Sequence, residues 1–137
     1  MKHYIVIVGC GRLGSLLANH LSGKGNNVVV IDRNHKAFER LSTDFSGYRI
    51  VGDATEQSVL REANISEADF CFSATQNDNI NLMVAQIART IFEVPHVLAR
   101  ISDPAREAIY REFGIQTISP TQLTADAFLK YMKATEA

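Results

Sequence analysis

Three glycines near the beginning of the chain have the spacing of a phosphate-binding turn. Gly9, Gly11 and Gly14 follow the apolar run at residues 4–8 and precede an amphipathic segment at residues 13–23, so they lie between a predicted strand and a predicted helix. Gly9 would allow a tight turn, Gly11 would let a pyrophosphate approach the backbone, and Gly14 would let the helix pack close to the strand. The N-terminus of that helix would offer unpaired N–H groups and a partial positive charge to the phosphates.

The residues around the glycines favour an adenine nucleotide as the ligand. Asp32 closes the next apolar run, where a carboxylate accepts hydrogen bonds from ribose hydroxyls. Arg33 could stack on adenine or attract a 2′-phosphate, but Asp32 would repel that phosphate, so a free 2′-hydroxyl is favoured. Arg12 adds a cation for the terminal phosphates of a di- or triphosphate, unless it points to solvent. The alternative interpretation is a glycine-rich turn in a nucleotide-free α/β protein, with Asp32 as a solvated strand end.

Predicted strands and helices alternate along the whole chain. The strands are predicted at residues 4–8, 28–32, 48–52, 70–74, 97–101 and 116–119, and the helices at residues 13–23, 35–43, 57–63, 78–92, 104–113 and 120–134. Short apolar strands separated by helices indicate an α/β protein with a parallel sheet covered on both faces. Six such pairs predict one doubly wound Rossmann sheet with strand order 3-2-1-4-5-6 and helices on both faces.

Polar residues follow several of these strands, at the edge where doubly wound sheets bind their ligands. Asp53 and Ala54 follow the third strand, Thr75 follows the fourth, and Arg100 ends the fifth. Each also has a structural interpretation. Asp53 could cap the third helix, Thr75 and Asp78 could form a capping box for the fourth, and Arg100 could be a solvated strand end or half of a surface ion pair. Taken together, these residues would surround an adenosine and its phosphates.

The apolar residues of two helices predict how those helices pack. Helical spacing predicts a buried face on the fourth helix, formed by Ile80, Met83, Val84, Ile87 and Ile91. The last helix, at about residues 120–134, has a capping box at Ser119 and Gln122 and apolar residues around most of its circumference. Because a helix of that kind is buried on more than one side, we expect it to contact another subunit. A wide core face with incidental aromatic residues is the alternative.

Composition argues against several functional classes. The 137 residues fit one domain, and 46% hydrophobic with 21% charged residues is ordinary for a soluble globular fold. A net charge of −1 offers no basic surface for nucleic acid. No stretch of the sequence approaches the roughly 18 consecutive apolar residues of a transmembrane helix. The chain also begins directly with a strand, so we expect a cytoplasmic protein without a signal peptide or direct membrane insertion.

The sequence offers little for catalysis or metal binding. The four histidines are scattered, and none pairs by position with a serine, cysteine or carboxylate as a catalytic triad would. Cys10 and Cys71 have neither metal-ligand spacing nor the pattern of a disulfide framework. A dehydrogenase would also need a substrate pocket, and little sequence remains outside the predicted sheet to build one. We therefore expect no catalytic residues and no metal site.

A series of short motifs, taken with the glycine turn, carries a family resemblance. The motifs are Val30-Ile31-Asp32, Gly52-Asp53-Ala54-Thr55, Leu60-Arg61-Glu62-Ala63, Ala99-Arg100-Ile101 and Ile118-Ser119-Pro120-Thr121. In their order and spacing, from about residue 3 to residue 133, the chain resembles the TrkA-N domain. This domain, also called RCK or KTN, is the nucleotide-binding domain that regulates potassium conductance.

The resemblance implies a regulatory protein and not an enzyme. Family members bind NAD(H) or ATP/ADP in the Rossmann crevice, with AMP also possible, and they assemble as dimers within rings whose shape changes with the ligand. Cofactor contacts are implied at Gly9, Cys10, Gly11, Arg12, Leu13, Gly14, Asp32, Arg33, Asp53, Ala54, Thr75 and Arg100. The resemblance also implies a cytoplasmic subunit that reaches the membrane through a potassium-translocating partner. Its last helix would contact another subunit in a dimer or higher ring.

Two questions stay open at this point. Many family members continue into a second, smaller ligand-binding domain, so we expect a chain ending at residue 137 to be a stand-alone version or a fragment. The alternative function is a small NAD(P)-dependent oxidoreductase or its detached cofactor domain. A free-standing redox or nucleotide sensor with no membrane partner is a further alternative.

Overall fold

A six-stranded parallel sheet forms the centre of the molecule, in a computed structural model that describes residues 2–136. The strands are β1 (Tyr4–Val8), β2 (Asn27–Asp32), β3 (Tyr48–Val51), β4 (Phe70–Ser73), β5 (His96–Arg100) and β6 (Gln116–Ile118). Their order across the sheet is β3-β2-β1-β4-β5-β6, and every neighbouring pair is parallel. The predicted doubly wound topology is therefore confirmed.

Five α-helices and several shorter helical turns connect the strands. The helices are α1 (Arg12–Gly23), α2 (Gln57–Glu62), α3 (Asp78–Gln86), α4 (Glu107–Glu112) and α5 (Pro120–Thr135). Three of the predicted helices differ from this description. The segment predicted at 78–92 continues beyond α3 as a π turn, Ile87–Ile91, and the one predicted at 104–113 begins with a 3₁₀ turn, Pro104–Arg106, before α4.

The helix predicted at residues 35–43 is instead a 3₁₀ segment, His35–Arg40. The chain becomes extended at Leu41, and the side chains of Leu41 and Phe45 are both buried in the core. The helical segment therefore ends at Arg40, and the residues after it place Leu41 and Phe45 in the core cluster that contains Ile5, Ile7 and Ala18. A further 3₁₀ turn at Ile65–Glu67, just before β4, was not predicted.

The central strands are buried on both sides, which explains their uninterrupted apolar sequences. On β1, Val6 and Val8 belong to a core cluster that includes residues of α2 and α3. The alternate residues, Ile5 and Ile7, belong to a second cluster on the opposite face, with Ala18 of α1. A continuous apolar run thus supplies side chains to both layers of the core.

The predicted buried face of α3 is only partly correct. Val84 and Ile87 are buried, but Met83 and Ile91 are each about half exposed, at 49% and 51%. The centre of the face is instead a polar residue, Asn81, which has 0% exposure. Because periodicity counts apolar residues only, it placed the centre of the face too close to Met83.

Among the five α-helices of residues 2–136, α5 is the one with no buried residue. Its N-cap is Ser119, whose Oγ accepts a hydrogen bond from the Gln122 backbone N–H at 3.2 Å, as predicted. The reciprocal half of the predicted capping box is absent, because the Gln122 side chain donates to Asp126 Oδ1 at 2.9 Å. Every residue from 121 to 136 is exposed. The helix therefore leaves the sheet after its first turn.

Candidate functional site

A cavity of about 450 Å³ opens at the carboxyl edge of the sheet, beside the glycine turn. It lies where β1 meets β2 and β4, the point at which the strand order reverses. Seven of the residues predicted for the site line this cavity: Gly9, Gly11, Asp32, Arg33, Asp53, Ala54 and Thr75. The structure thus brings together residues from the ends of four strands in one concave surface.

The three motif glycines meet different steric requirements. Gly9 has φ +102°, and a Cβ there would lie 3.1 Å from the backbone of Ala74 and Thr75. At Gly14 a Cβ would lie 1.8 Å from the carbonyl oxygen of Gly9, so the fold itself requires glycine at this position. At Gly11, in contrast, a Cβ would meet no protein atom within 4 Å. Packing inside the chain therefore explains Gly9 and Gly14 but not Gly11.

The N-terminus of α1 is open towards this turn. Its N-cap is Gly11, which has no side chain to accept hydrogen bonds from the first N–H groups, and the first turn contains no acidic residue. Arg12, the first residue of the helix, is exposed and adds a positive charge. The helix dipole and the arginine together make this end of α1 suited to an anion.

Asp32 is fixed by the glycine turn itself. Its Oδ2 accepts a hydrogen bond from the Cys10 backbone N–H at 2.8 Å, and its Oδ1 accepts one from the Asn34 backbone N–H at 2.9 Å. Each carboxylate oxygen retains lone-pair capacity for a further donor, such as a ribose hydroxyl. Cys10 is buried behind the turn, and this burial, with a smaller effect of Asp32, raises the pKa of its thiol.

Asp53 forms a turn with Thr55 and does not cap a helix. Its Oδ1 accepts hydrogen bonds from the Thr55 backbone N–H at 2.9 Å and from the Thr55 hydroxyl at 2.6 Å. These two bonds lower the pKa of Asp53, and the positive charge of Arg33 lowers it further. The suggestion that Asp53 caps the third helix is wrong, since the N-cap of α2 is Glu56. Asp53 therefore presents a carboxylate at the wall of the cavity.

Thr75 is held by Asn81 and not by a capping box. Its hydroxyl donates to Asn81 Oδ1 at 2.6 Å, and the Asn81 amide donates back to the Thr75 carbonyl oxygen at 2.9 Å. The suggested capping box of Thr75 and Asp78 is wrong, because α3 is capped by Asn77, whose side chain accepts from the Ile80 N–H.

Sequence reasoning missed Asn81, although it organises this edge of the site. The same amide group also donates to the Arg100 carbonyl oxygen at 2.9 Å, so one fully buried side chain ties the end of β4 to the end of β5. The available signal was an asparagine within the apolar face of a helix, where a buried polar group must find partners. Such a residue is a candidate for bridging strand ends.

Arg100 and Leu13 lie on a different surface from the other predicted site residues. The Arg100 guanidinium donates from Nη1 to the Thr75 carbonyl oxygen at 2.9 Å. Both side chains line a second cavity of about 260 Å³, which we call the apolar groove. Its remaining walls come from α1, from the ends of β4, β5 and β6, and from the first turn of α5: Leu17, Phe72, Ser73, Ala74, Leu98, Ile118, Pro120 and Leu123.

Within residues 2–136, no group of three or more His, Cys, Asp or Glu side chains is arranged to hold a metal ion. Over the same range, no helix combines the length and the apolar character needed to cross a bilayer.

Comparison with known proteins identifies both a family and a set of relatives. The family model described as the TrkA-N domain matches residues 5–120. The Trk system potassium uptake protein TrkA of Streptomyces coelicolor is 44% identical over 127 residues, which cover 93% of this chain and 57% of that protein. A TrkA homologue of Methanothermobacter thermautotrophicus is 34% identical over 93% of this chain and 58% of its own length. The chain thus spans little more than half the length of these relatives.

Solved structures share the fold at low sequence identity. The TrkA-N domain of the inner membrane protein ybaL from Escherichia coli has a TM-score of 0.84 and 21% identity, covering 96% of this chain and 97% of that one. The Shewanella denitrificans Kef CTD in its AMP-bound form has a TM-score of 0.80 and 20% identity, covering 98% and 82%. GsuK bound to ADP has a TM-score of 0.74 and 20% identity, covering 90% of this chain and 32% of that one. The GsuK channel bound to NAD has a TM-score of 0.70 and 20% identity, covering 88% of this chain and 22% of that one.

Proposed function

The chain belongs to the TrkA-N domain family, and from that membership we propose that it binds an adenine nucleotide and allosterically controls a potassium transporter or channel. It would do so as a regulatory subunit, or as part of one, in the cytoplasm, and would reach the membrane through its partner. The proposed role is that of a sensor and not of an enzyme. The nucleotide would be NAD(H) or ATP/ADP, with AMP as a further candidate.

The observation that carries the proposal is the empty space at Gly11. Neither backbone conformation nor internal packing requires glycine there, since φ is −78° and no protein atom lies within 4 Å of a Cβ. The same residue lines the cavity at the carboxyl edge of the sheet and forms the N-cap of α1. A side chain at this position would occupy the space that a phosphate needs to reach the helix N-terminus. A phosphate bound in this cavity would account for glycine at position 11.

A matched pair of substitutions tests this explanation. Gly23 also has open space where its Cβ would lie, but it is at the opposite end of α1. A nucleotide near 100 times its Kd should raise the Tm of the parent by roughly 10 °C, because binding stabilises the folded state by about 2.7 kcal/mol. We expect Gly11→Ala to fold but lose this increase, and Gly23→Ala to keep it. Thermal-shift measurements with ATP, ADP, AMP, NAD, NADH and NADP check the prediction, and an unchanged increase in Gly11→Ala contradicts it.

Arg12 supplies a means of distinguishing nucleotides by charge. A terminal phosphate within its reach would gain a charge-assisted hydrogen bond of about 1.5–3 kcal/mol, enough for a roughly 10- to 150-fold preference. We expect Arg12→Ala to weaken ATP binding more than ADP binding in isothermal calorimetry, and Arg12→Lys to retain part of the difference. Equal losses for both nucleotides would remove Arg12 from this role. An affinity difference of this kind is what a ligand needs to shift an assembly between states.

Self-association is the second part of the proposal, and α5 supports it. Leu123, Phe128, Leu129, Tyr131 and Met132 are between 54% and 73% exposed. The apolar groove is continuous with this helix, because Pro120 and Leu123 form part of its wall, yet no later residue of α5 enters it. We propose that the helix of a second copy covers these surfaces in a dimer or higher ring. Light scattering tests this, and a monomer at all concentrations contradicts it.

Two experiments separate the alternatives. For the oxidoreductase, or its detached cofactor domain, the absorbance of NADH is followed with a panel of carbonyl substrates, and turnover would favour that alternative. For a free-standing sensor, the question is whether the full-length protein from cells co-purifies with a potassium-translocating membrane protein. The exposed apolar side chains of α5 and the apolar groove support a protein that makes further contacts, with a second copy or with a partner.

A further inference from the structure

The nucleotide cavity and the apolar groove share a wall at the end of β4. Ala74 lines both, with Thr75 on the nucleotide side and Ser73 on the groove side. The glycine turn presses against this wall, since a Cβ at Gly9 would lie 3.1 Å from the peptide that joins Ala74 to Thr75. A ligand seated on the glycine turn is therefore separated from the groove by a single strand end.

Arg100 is the side chain that connects this wall to α5. Its guanidinium donates to the Thr75 carbonyl oxygen, while its side chain lines the groove beside Pro120 and Leu123. Its backbone is also fixed, because the carbonyl oxygen accepts from Asn81 and Arg100 pairs with Ile118 of β6. Among residues 2–136, the Thr75 carbonyl is the one hydrogen-bond acceptor of this guanidinium. A single bond can be made or released without disturbing the strand.

We propose that Arg100 is a positioning residue that transmits the occupancy of the nucleotide cavity to the apolar groove and the first turn of α5. The inference rests on the proposed nucleotide binding and goes beyond it by naming the route. A nucleotide on the glycine turn fixes the Ala74–Thr75 peptide, and the Thr75 carbonyl then holds the guanidinium in the wall of the groove. Without a nucleotide, Asn81 still holds that carbonyl, but the hydrogen bond from the guanidinium would open more often, and the root of α5 would be correspondingly more mobile.

The contact also explains why a charged side chain lies among apolar ones. The groove is otherwise formed almost entirely by leucine, isoleucine, phenylalanine, proline and alanine. The methylene stem of arginine can pack against such a surface while its charged group reaches a polar partner at the rim. A methionine would fill the same space but could not donate a hydrogen bond to the Thr75 carbonyl. The Arg100→Met substitution therefore separates the packing role of this side chain from the proposed transmission.

Hydrogen exchange of the full chain, read by mass spectrometry with and without saturating ATP, ADP or NAD, tests the route. Peptides covering residues 9–15 report direct binding, and peptides covering residues 118–124 report the root of α5, which does not line the nucleotide cavity. In the parent we expect slower exchange at both, with a change of about 5-fold or more at residues 118–124. In Arg100→Met the effect at residues 9–15 should remain, and that at 118–124 should fall below about 2-fold.

Two further variants make the result specific. Arg100→Lys keeps a charged donor and should restore part of the distant effect. Arg111→Met removes an exposed arginine that bonds to Glu107 on α4, and it should behave as the parent does. Measurement at two protein concentrations separates an effect within one chain, which is independent of concentration, from one that arises through self-association.

The outcomes distinguish this inference from the proposal on which it rests. A distant effect that persists in Arg100→Met overturns the route, as does direct protection in the parent without any change at residues 118–124. If no adenine nucleotide protects residues 9–15 in the parent, nucleotide binding itself is refuted.

Discussion

The cavity at the carboxyl edge of the sheet and helix α5 differ in how far one chain satisfies their side chains. Around the cavity, polar groups are satisfied internally: Asp32 by two backbone N–H groups, Asp53 by Thr55, and Thr75 by Asn81. On α5 the situation is reversed, since its apolar side chains are exposed and none of its residues is buried. Within one chain the polar groups around the cavity thus have partners, but the apolar side chains of α5 lack the contacts that their composition calls for.

Around the cavity, the largest effect on stability is expected at Gly14, where α1 approaches the glycine turn most closely. Gly14→Ala places a Cβ 1.8 Å from the Gly9 carbonyl oxygen, so α1 or the glycine turn must move. We expect a loss of about 3 kcal/mol or more in the free energy of unfolding, as for severe overpacking. Urea denaturation measures it, with Gly23→Ala as the control. A loss below about 0.5 kcal/mol would show that this close approach is not essential to the fold.

The next effect concerns the polar network under the cavity. Asn81→Ala leaves the Ser73 hydroxyl and the Thr75 N–H without this acceptor. It also removes the amide donor from the Arg100 carbonyl and leaves the Thr75 carbonyl with the Arg100 guanidinium alone. Because unpaired buried groups cost about 1–3 kcal/mol each and water can replace some partners, we expect about 3 kcal/mol. Asn79→Ala, an exposed position on the same helix, should cost less than 0.5 kcal/mol. Similar values for both would contradict the bridging role of Asn81.

The smallest effect on stability is expected on α5, because its side chains are exposed where those of the core are buried. Phe128 is 73% exposed, whereas Phe45 is 7% exposed in the core. Measured at low protein concentration, Phe128→Ala should change the free energy of unfolding by less than about 0.5 kcal/mol, while Phe45→Ala should cost about 3–5 kcal/mol. At high concentration, Phe128→Ala should weaken self-association in sedimentation velocity. Unaltered association would place the interface elsewhere.

The sequence predicted best the features that local pattern determines. β1 and β2 are buried on both faces, and this produces continuous apolar runs in the sequence in place of alternating or helically spaced residues. The glycines mark the turn between β1 and α1. With the elements in place, the strand order followed from the rules for doubly wound sheets. The end of each strand was predicted to within a residue or two, which was enough to bring Asp32, Asp53 and Thr75 to one edge.

What the sequence did not predict depends on contacts between distant segments. Asn81 is recognisable only when the ends of β4 and β5 are known to be neighbours, because its partners lie at residues 73, 75 and 100. Arg100 was placed near the nucleotide by its position at a strand end, but the direction of its side chain depends on the Thr75 carbonyl. Met83 and Ile91 are exposed, and the buried side of this segment is formed instead by Asn81, Val84 and Ala88.

The position of β1 in the sheet has a consequence for how the chain acquires its structure. β1 is synthesised before both of its pairing partners, β2 and β4, and Ile5 lies opposite Phe70 in the register with β4. The second edge of β1 therefore stays open until β4 has left the ribosome. Because no strand pair can form as a hairpin, each closure joins segments far apart in sequence, which slows folding relative to proteins rich in local contacts. Until β4 arrives, an apolar strand edge is exposed, and this is the stage at which the nascent chain is most prone to aggregate.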